Sequence, residues 1–238
     1  MKRSIRSSLS RRHALLGLVL PAAALAGCAG PARTEPTPIA GPRGASRMRP
    51  DGTREFRDHE LVDQDGRTVR FQRDLIEGRV FAATFMYVHC NGICRDLVSR
   101  MRGAHELLAP VMGDPVRFYS FSLASDTPAD MKEYMRVHGL DGLAGWSFLS
   151  GSREAITDIR WAFGFSEPNE ELDARLDGHT GMARFGNHAS DTWAACPALG
   201  TPRSIARAMA RVLPRDKRAL VASLEHEPGR PARRDRTL

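Results

Sequence analysis

The chain predicts an α/β fold, a central mixed sheet with helices on both faces. Three observations carry this. Residues 80–88 and 116–123 are apolar runs without period-2 alternation, rich in β-branched and aromatic side chains, as strands covered on both faces are. Segments with helix-start signals and helical apolar spacing follow each run. Stretches that do alternate, at residues 60–71 and 179–195, read as hairpins flanking the buried strands.

In residues 60–71, Asp65-Gly66 is a tight-turn dipeptide, and Val69 and Phe71 alternate with Thr68 and Arg70. The first buried run leads into His89-Cys90-Asn91-Gly92-Ile93-Cys94, after which Leu97, Val98 and Met101 fall at helical spacing. After the second run, Thr127 is an N-cap, Pro128 takes the first helical position and Asp130 suits the dipole. Met131, Tyr134, Met135 and His138 share one face of that helix. Residues 146–149 form a short strand. Ser152 caps a helix bearing Ile156, Ile159 and Phe163, ended by Gly164. Residues 167–177 are acidic and irregular, a surface loop. A second hairpin turns around residues 187–191. Thr201-Pro202 opens the last helix, with Ile205, Met209, Val212 and Leu213 inward and Pro214 ending it.

Residues 1–27 read as a signal peptide: Lys2, Arg3, Arg6, Arg11 and Arg12 precede an apolar segment, Ala14 to Ala26, too short to span a membrane as a mature helix. Leu25-Ala26-Gly27-Cys28 resembles a bacterial lipobox, which makes Cys28 the expected lipidation site. Ser10-Arg11-Arg12 resembles a twin-arginine signal without its usual Phe, so Sec and Tat export both stay open. Residues 28–54, dense in Pro, Gly and Ala from Pro31 to Gly52, are the expected anchor and linker. Residues 55–213 are the right size for one domain. Residues 214–238, with Arg230, Arg233, Arg234 and Arg236, read as a basic, disordered tail. Removing the signal takes the formal net charge of +7 to about +2. No basic face with interleaved aromatics remains, so nucleic-acid binding is not expected.

An exported chain can form disulfides, but Cys28, Cys90, Cys94 and Cys196 are too few for a disulfide scaffold. The close pair therefore points to chemistry. If Cys94 lies in the first turn of its helix, the free amides and positive dipole end there favour thiolates at both cysteines. Four residues of helix rise about 6 Å, within the Cα separation of about 4.4 to 6.8 Å that a disulfide accepts. Cys90 and Cys94 can bond to each other or converge on one metal ion.

Strand, cysteine pair at a helix start, helix, strand, helix, strand, hairpin and helix is a thioredoxin-like order. Over residues 60–213 the chain further resembles the Sco/SenC family of thioredoxin-like copper proteins, as a divergent member. The resemblance is carried by Asp63-Gln-Asp-Gly66, by Phe85-Met-Tyr-Val-His-Cys-Asn-Gly-Ile-Cys94, by Asp126-Thr-Pro128 with Tyr134, by Trp146-Ser-Phe-Leu-Ser-Gly151, and by His179-Thr180. Asn91 and Arg95 stand where the family usually has prolines. The resemblance implies Cys90, Cys94 and His179 as copper ligands, with Cys90 and Cys94 also a redox pair. Two thiolates and an imidazole suit soft Cu(I), whereas structural zinc would want four ligands.

Other residues have plainer readings. His89 should point away from Cys90 along the strand. His188 and Met182 are weighed as auxiliary copper ligands and read as a loop histidine and a packed methionine. Cys196 reads as buried rather than as a third redox sulfur. Met131, Met135 and Met209 occupy core positions.

The leading expectation is a periplasmic, lipid-anchored copper metallochaperone carrying Cu(I), with Cu(II) left open. Its expected partners are the membrane through the lipid, a protein thiol reductant, and a cuproenzyme subunit such as the copper subunit of a cytochrome oxidase. The alternative is a thiol-disulfide oxidoreductase acting through the same two cysteines. A lipid-tethered interaction module would leave the pair idle.

Overall fold

The computed structural model describes residues 46–111, 116–167, 169–173, 175–176 and 181–223. Strands β1 (Ser46–Met48) and β2 (Arg54–Phe56) pair antiparallel as a small sheet of their own. The expected linker through residue 54 is therefore too long at its C-terminal end. Gly52, with φ +82°, makes the turn there, and Phe56 is buried against Phe71, Phe163 and Trp193. That aromatic anchor outweighs the polar, flexible composition before it.

Strands β3 (Glu60–Asp63) and β4 (Thr68–Arg70) form the expected hairpin, with Gly66 at φ +78°. Asp63 pins the turn by accepting the Asp65 and Arg67 amides, each at 2.9 Å. A π-helical turn over Phe71–Ile76 follows, which the alternation of Val69 and Phe71 did not announce.

Strand β5 (Val80–Met86) is buried along its whole length. Helix α1 (Cys94–Leu108), β6 (Val116–Ser122), α2 (Pro128–Val137) and β7 (Trp146–Gly151) complete two parallel crossovers. Thr127 and Asp130 form a full capping box on α2, and Ser152 caps α3 (Arg153–Ala162). A short helix α4 (Glu170–Asp173) lies within the stretch read as a loop, where Asp173 pairs with Arg160 at 2.6 Å. Strands β8 (Met182–Asn187) and β9 (Thr192–Pro197) form the closing hairpin, joined by a 3-10 turn at His188–Ser190.

Helices α5 (Pro202–Ala210) and α6 (Arg215–Ser223) end the described chain. Helix α6 corrects the tail boundary: α5 already stops at Ala210, Pro214 leads into another helix, and Val221 is buried. Proline suits a helix start as well as a helix end.

The main sheet has seven strands in the order β4-β3-β7-β6-β5-β8-β9. Strands β5, β6 and β7 run parallel, and β3 and β8 flank them antiparallel, so the sheet is mixed as expected. Alternate residues of β5 feed two cores. Val80, Ala82 and Met86 meet α1, α2 and α5, while Phe81, Ala83 and Phe85 meet the π turn and α3. Helices therefore cover both faces. Among the described residues no helix is long and apolar enough to cross a membrane. The signal segment, Cys28 and residues 224–238 lie outside them.

Candidate metal and redox site

The cysteines sit where β5, the first strand of the crossovers, hands the chain to α1. Strand pairing stops at Met86, whose carbonyl accepts the Leu123 amide at 2.8 Å. Next, the Val88 amide donates to the Asp126 carboxylate at 2.8 Å, and the Ser122 hydroxyl donates to the same oxygen at 2.8 Å. Asp126 is itself buried, and Ser125 before it adopts a left-handed φ of +54°. The loop after β6 is thus braced to hold the backbone that carries Cys90. The Cys90 amide closes a turn onto the Tyr87 carbonyl at 3.3 Å.

Cys94 is the first residue of α1, as the sequence predicts, with Ile93 at the cap position and no side-chain cap. Its side chain is 0% exposed and belongs to the core under α1 and α2. Cys90 is half-buried at the edge of that core. Both are thiols in this structure.

Their acidities diverge, which corrects the expectation of two favoured thiolates. Burial opposes charge on Cys90, but hydrogen bonds from the Cys94 thiol, from the backbone amides of Cys94 and Gly92, and from the Tyr87 hydroxyl take it below the ordinary thiol value. Cys94 is pushed up to about 12, first by burial and then by its hydrogen bond to Cys90. The open Cys94 amide at the start of α1 favours charge on both sulfurs, and the Tyr87 amide also favours it on Cys94, but burial outweighs them there. Chemically, this is an accessible nucleophilic sulfur backed by a buried proton donor, and also two soft donors within one turn.

Helix α2 packs into the core that holds Cys94. His89 is exposed and its charge acts on Asp130 in the first turn of α2. Tyr134 packs into the same core as Cys94, and its ring meets the His138 ring at 4.1 Å.

His179, the third expected ligand, lies outside the described residues. Among the described residues no group of three or more His, Cys, Asp or Glu side chains could hold a metal ion. Gly181, two residues after His179, has φ +58°, and a Cβ there would meet the Ile93 side chain at 2.9 Å. Its carbonyl accepts the Ala198 amide at 2.8 Å.

The auxiliary candidates have structural roles. His188 stands in the turn between β8 and β9, a loop histidine as expected, and is buried: Gly78 donates to Nδ1 at 3.4 Å, so Nε2 carries the proton it gives to the Arg54 carbonyl at 2.9 Å. Met182 packs against the core on the α3 face. Cys196 is half-buried on β9 opposite Ala183, and burial pushes its thiol up to about 11. Sequence reasoning did not assign roles to Asp126, Tyr87 or the Tyr134 hydroxyl at the pair. Asp126 was legible as part of the Asp126-Thr-Pro128 motif at a helix start, not as an acceptor for the Val88 amide.

A family model for SCO1/SenC matches residues 48–213, more than half of the chain. The chain belongs to the SCO1/SenC family. Two solved structures agree in fold. A SCO1/SenC family lipoprotein from Bacillus anthracis aligns with TM-score 0.54 and 21% identity, covering 66% of this chain and 94% of that one. BsSco, a member of the Sco family of cytochrome c oxidase assembly proteins in which a disulfide switch was identified, aligns with TM-score 0.50 and 20% identity over 71% of this chain and 91% of that one. ScoI of Arabidopsis thaliana, solved with copper bound, aligns with TM-score 0.49 and 20% identity over 63% and 92%. A search of curated proteins found no significant match. The expected thioredoxin-like α/β fold and Sco/SenC membership both hold.

Proposed function

We propose that this protein is an extracytoplasmic copper metallochaperone that carries Cu(I) on Cys90, Cys94 and His179 and delivers it to a cuproenzyme. The observation that carries this is the half-buried Cys90 hydrogen-bonded to the buried Cys94 at a strand-to-helix junction, in a chain of the SCO1/SenC family. Two sulfurs offer soft donors, and a site at the domain surface suits an ion that must be handed on. Bound copper would supply a Lewis-acidic centre for ligand exchange with the acceptor, while Asp126 and the start of α1 keep the sulfurs in position. Assembly of a cytochrome oxidase copper subunit is the proposed destination, by analogy with BsSco. The signal peptide, lipidation at Cys28 and residence at the periplasmic face of a membrane belong to the same proposal, as does a thiol reductant that keeps the pair reduced.

The test is copper stoichiometry in the reduced full-length mature protein. One Cu(I) per chain is expected, lost in the Cys90→Ser, Cys94→Ser double variant and much weakened in His179→Ala. An unchanged affinity in the double variant would overturn the ligand assignment.

The depressed Cys90 and proton-bearing Cys94 also favour a second reading, a thiol-disulfide oxidoreductase. The Cys90 thiolate attacks a partner disulfide, forming a mixed disulfide and releasing one partner thiolate, which takes up the Cys94 proton. Cys94 then attacks the Cys90 sulfur, leaving a Cys90–Cys94 disulfide and a second partner thiolate. Turnover of a peptide disulfide by metal-free protein, lost in Cys90→Ser, separates this reading from the first.

A further inference from the structure

The last two helices carry a charge that the rest of the domain does not share. Residues 202–223 hold six basic side chains and one acidic, Asp216, whereas residues 46–201 hold 18 basic and 23 acidic. Three of the six, Arg203, Arg207 and Arg211, are exposed and stand four residues apart along α5, whose other face buries Ile205, Ala206 and Met209. Their row is about 12 Å long. Nothing within the helix favours it. Like charges four residues apart repel, Arg203 opposes the positive end of the helix dipole, and α5 contains no acidic residue.

The row runs from the edge of the cysteine site to the end where the chain enters the domain. At its start, Leu199 is 43% exposed and stands beside Gly181, where a Cβ would meet Leu199 at 3.7 Å and Ile93, the cap residue of the cysteine helix, at 2.9 Å. At its finish, Asn187 donates to the Val212 carbonyl at 2.9 Å. Beside Asn187, His188 donates to the Arg54 carbonyl and Arg54 pairs with Asp191 at 3.5 Å, so β2 and its partner β1 lie at that end. The 18 residues 28–45 that precede β1 reach at most about 60 Å. A lipid on Cys28 therefore holds the domain within that distance of a bilayer, and the anionic surface closest to the arginines is then one of phospholipid headgroups.

Resting on the membrane-anchored reading, we propose that the exposed face of α5 is a docking surface for an anionic phospholipid membrane. Arg203, Arg207 and Arg211 meet lipid phosphates, the exposed Arg215 and Arg218 of α6 strengthen the positive field, and Leu199 enters the headgroup layer. The acidic excess over residues 46–201 is repelled by the same surface, so the domain lies on it in one orientation. That orientation sets the edge of the cysteine site at the membrane and restricts hand-over to acceptors that present their own site close to the bilayer.

The test uses the mature chain from residue 28 onward with Cys28→Ser, so that no attached lipid contributes. At low salt it should co-sediment with vesicles of equimolar phosphatidylcholine and phosphatidylglycerol, and stay in solution with vesicles of phosphatidylcholine alone. The triple variant Arg203→Gln, Arg207→Gln, Arg211→Gln should bind about a hundredfold more weakly, about fivefold for each arginine, with its melting temperature and Cu(I) affinity unchanged. The same three positions changed to Lys keep the charge and should keep the binding. A control triple, Arg73→Gln, Lys132→Gln, Arg153→Gln, removes equal charge from exposed positions elsewhere and should bind as the parent does. Failure of the parent to bind anionic vesicles would overturn the proposal and leave the row to an acidic protein partner. Equal weakening by the α5 and control triples would also overturn it, because net charge rather than this face would then be responsible. The mass of the wild-type N-terminal peptide reads lipidation separately, so an unlipidated Cys28 and a failed docking face are told apart.

Discussion

The Cys94 thiol donates to the Cys90 sulfur, and this one contact divides the labour of the pair. Cys90 is the sulfur that reacts. Alkylation of the native reduced protein should modify Cys90 well before Cys94 or Cys196, with its rate levelling off at a lower pH than for a free thiol. Cys94→Ala removes a hydrogen bond that lowers Cys90, so the pH profile should move upward. Mass mapping after timed alkylation checks both; equal labelling of Cys90 and Cys94 would contradict the assignment.

Stability should fall at alkaline pH for a related reason. Unfolded cysteine ionises near its ordinary value of 9.0, whereas folded Cys94 holds its proton to about 12. Above pH 9 the unfolded state binds fewer protons, so unfolding gains free energy until folded Cys94 itself ionises. Cys196, raised to about 11, adds to the same loss. Between pH 8 and 10 the double variant Cys94→Ala, Cys196→Ala should show a flatter denaturation midpoint than wild type, since the loss from the buried, raised Tyr119 and Tyr134 near the upper end is common to both.

Oxidation and copper binding should exclude each other, because a disulfide consumes both thiolates. Each tenfold rise in free Cu(I) above its dissociation constant should raise the reduction potential of the pair by about 30 mV. Potentials measured at several buffered Cu(I) activities, with Cys196 replaced, check this. A potential indifferent to Cu(I) would move the function to the oxidoreductase reading.

Asp126 should act at a distance from the sulfurs. Asp126→Ala leaves the Val88 amide and Ser122 hydroxyl without their shared acceptor, at a cost of about 1–3 kcal/mol in the loop that carries Cys90. Denaturation should detect the loss, and Cu(I) affinity should fall with it. Asp126→Asn retains an acceptor oxygen and should be milder on both counts.

His188 should separate structure from ligation. Its ring nitrogens bond Gly78 and Arg54, so His188→Ala should cost about 1–3 kcal/mol of stability while leaving Cu(I) affinity unchanged. Gly181→Ala should do the reverse in emphasis. A Cβ in the left-handed region against Ile93 disturbs the edge of the site more than the core.

Local signals were enough to place most elements. The Thr127 and Ser152 caps, the Asp65-Gly66 turn and the unbroken apolar run of β5 each specify backbone structure through neighbours a few residues away, and each element stands where those signals put it. The Cys90 and Cys94 spacing likewise put both sulfurs at the start of one helix. Long-range packing decided the rest. Phe56 extends the fold into a stretch that composition reads as linker, because three distant aromatic rings bury it. Val221 does the same at the other end. The difference between Cys90 and Cys94 depends on which sulfur the core under α1 and α2 excludes from water, and burial outweighs the helix dipole that spacing alone invokes. The surroundings of the Tyr134 hydroxyl are likewise invisible to helical periodicity, which registers only that its ring faces inward; the core it shares with Cys94 and Phe148 decides what lies around it.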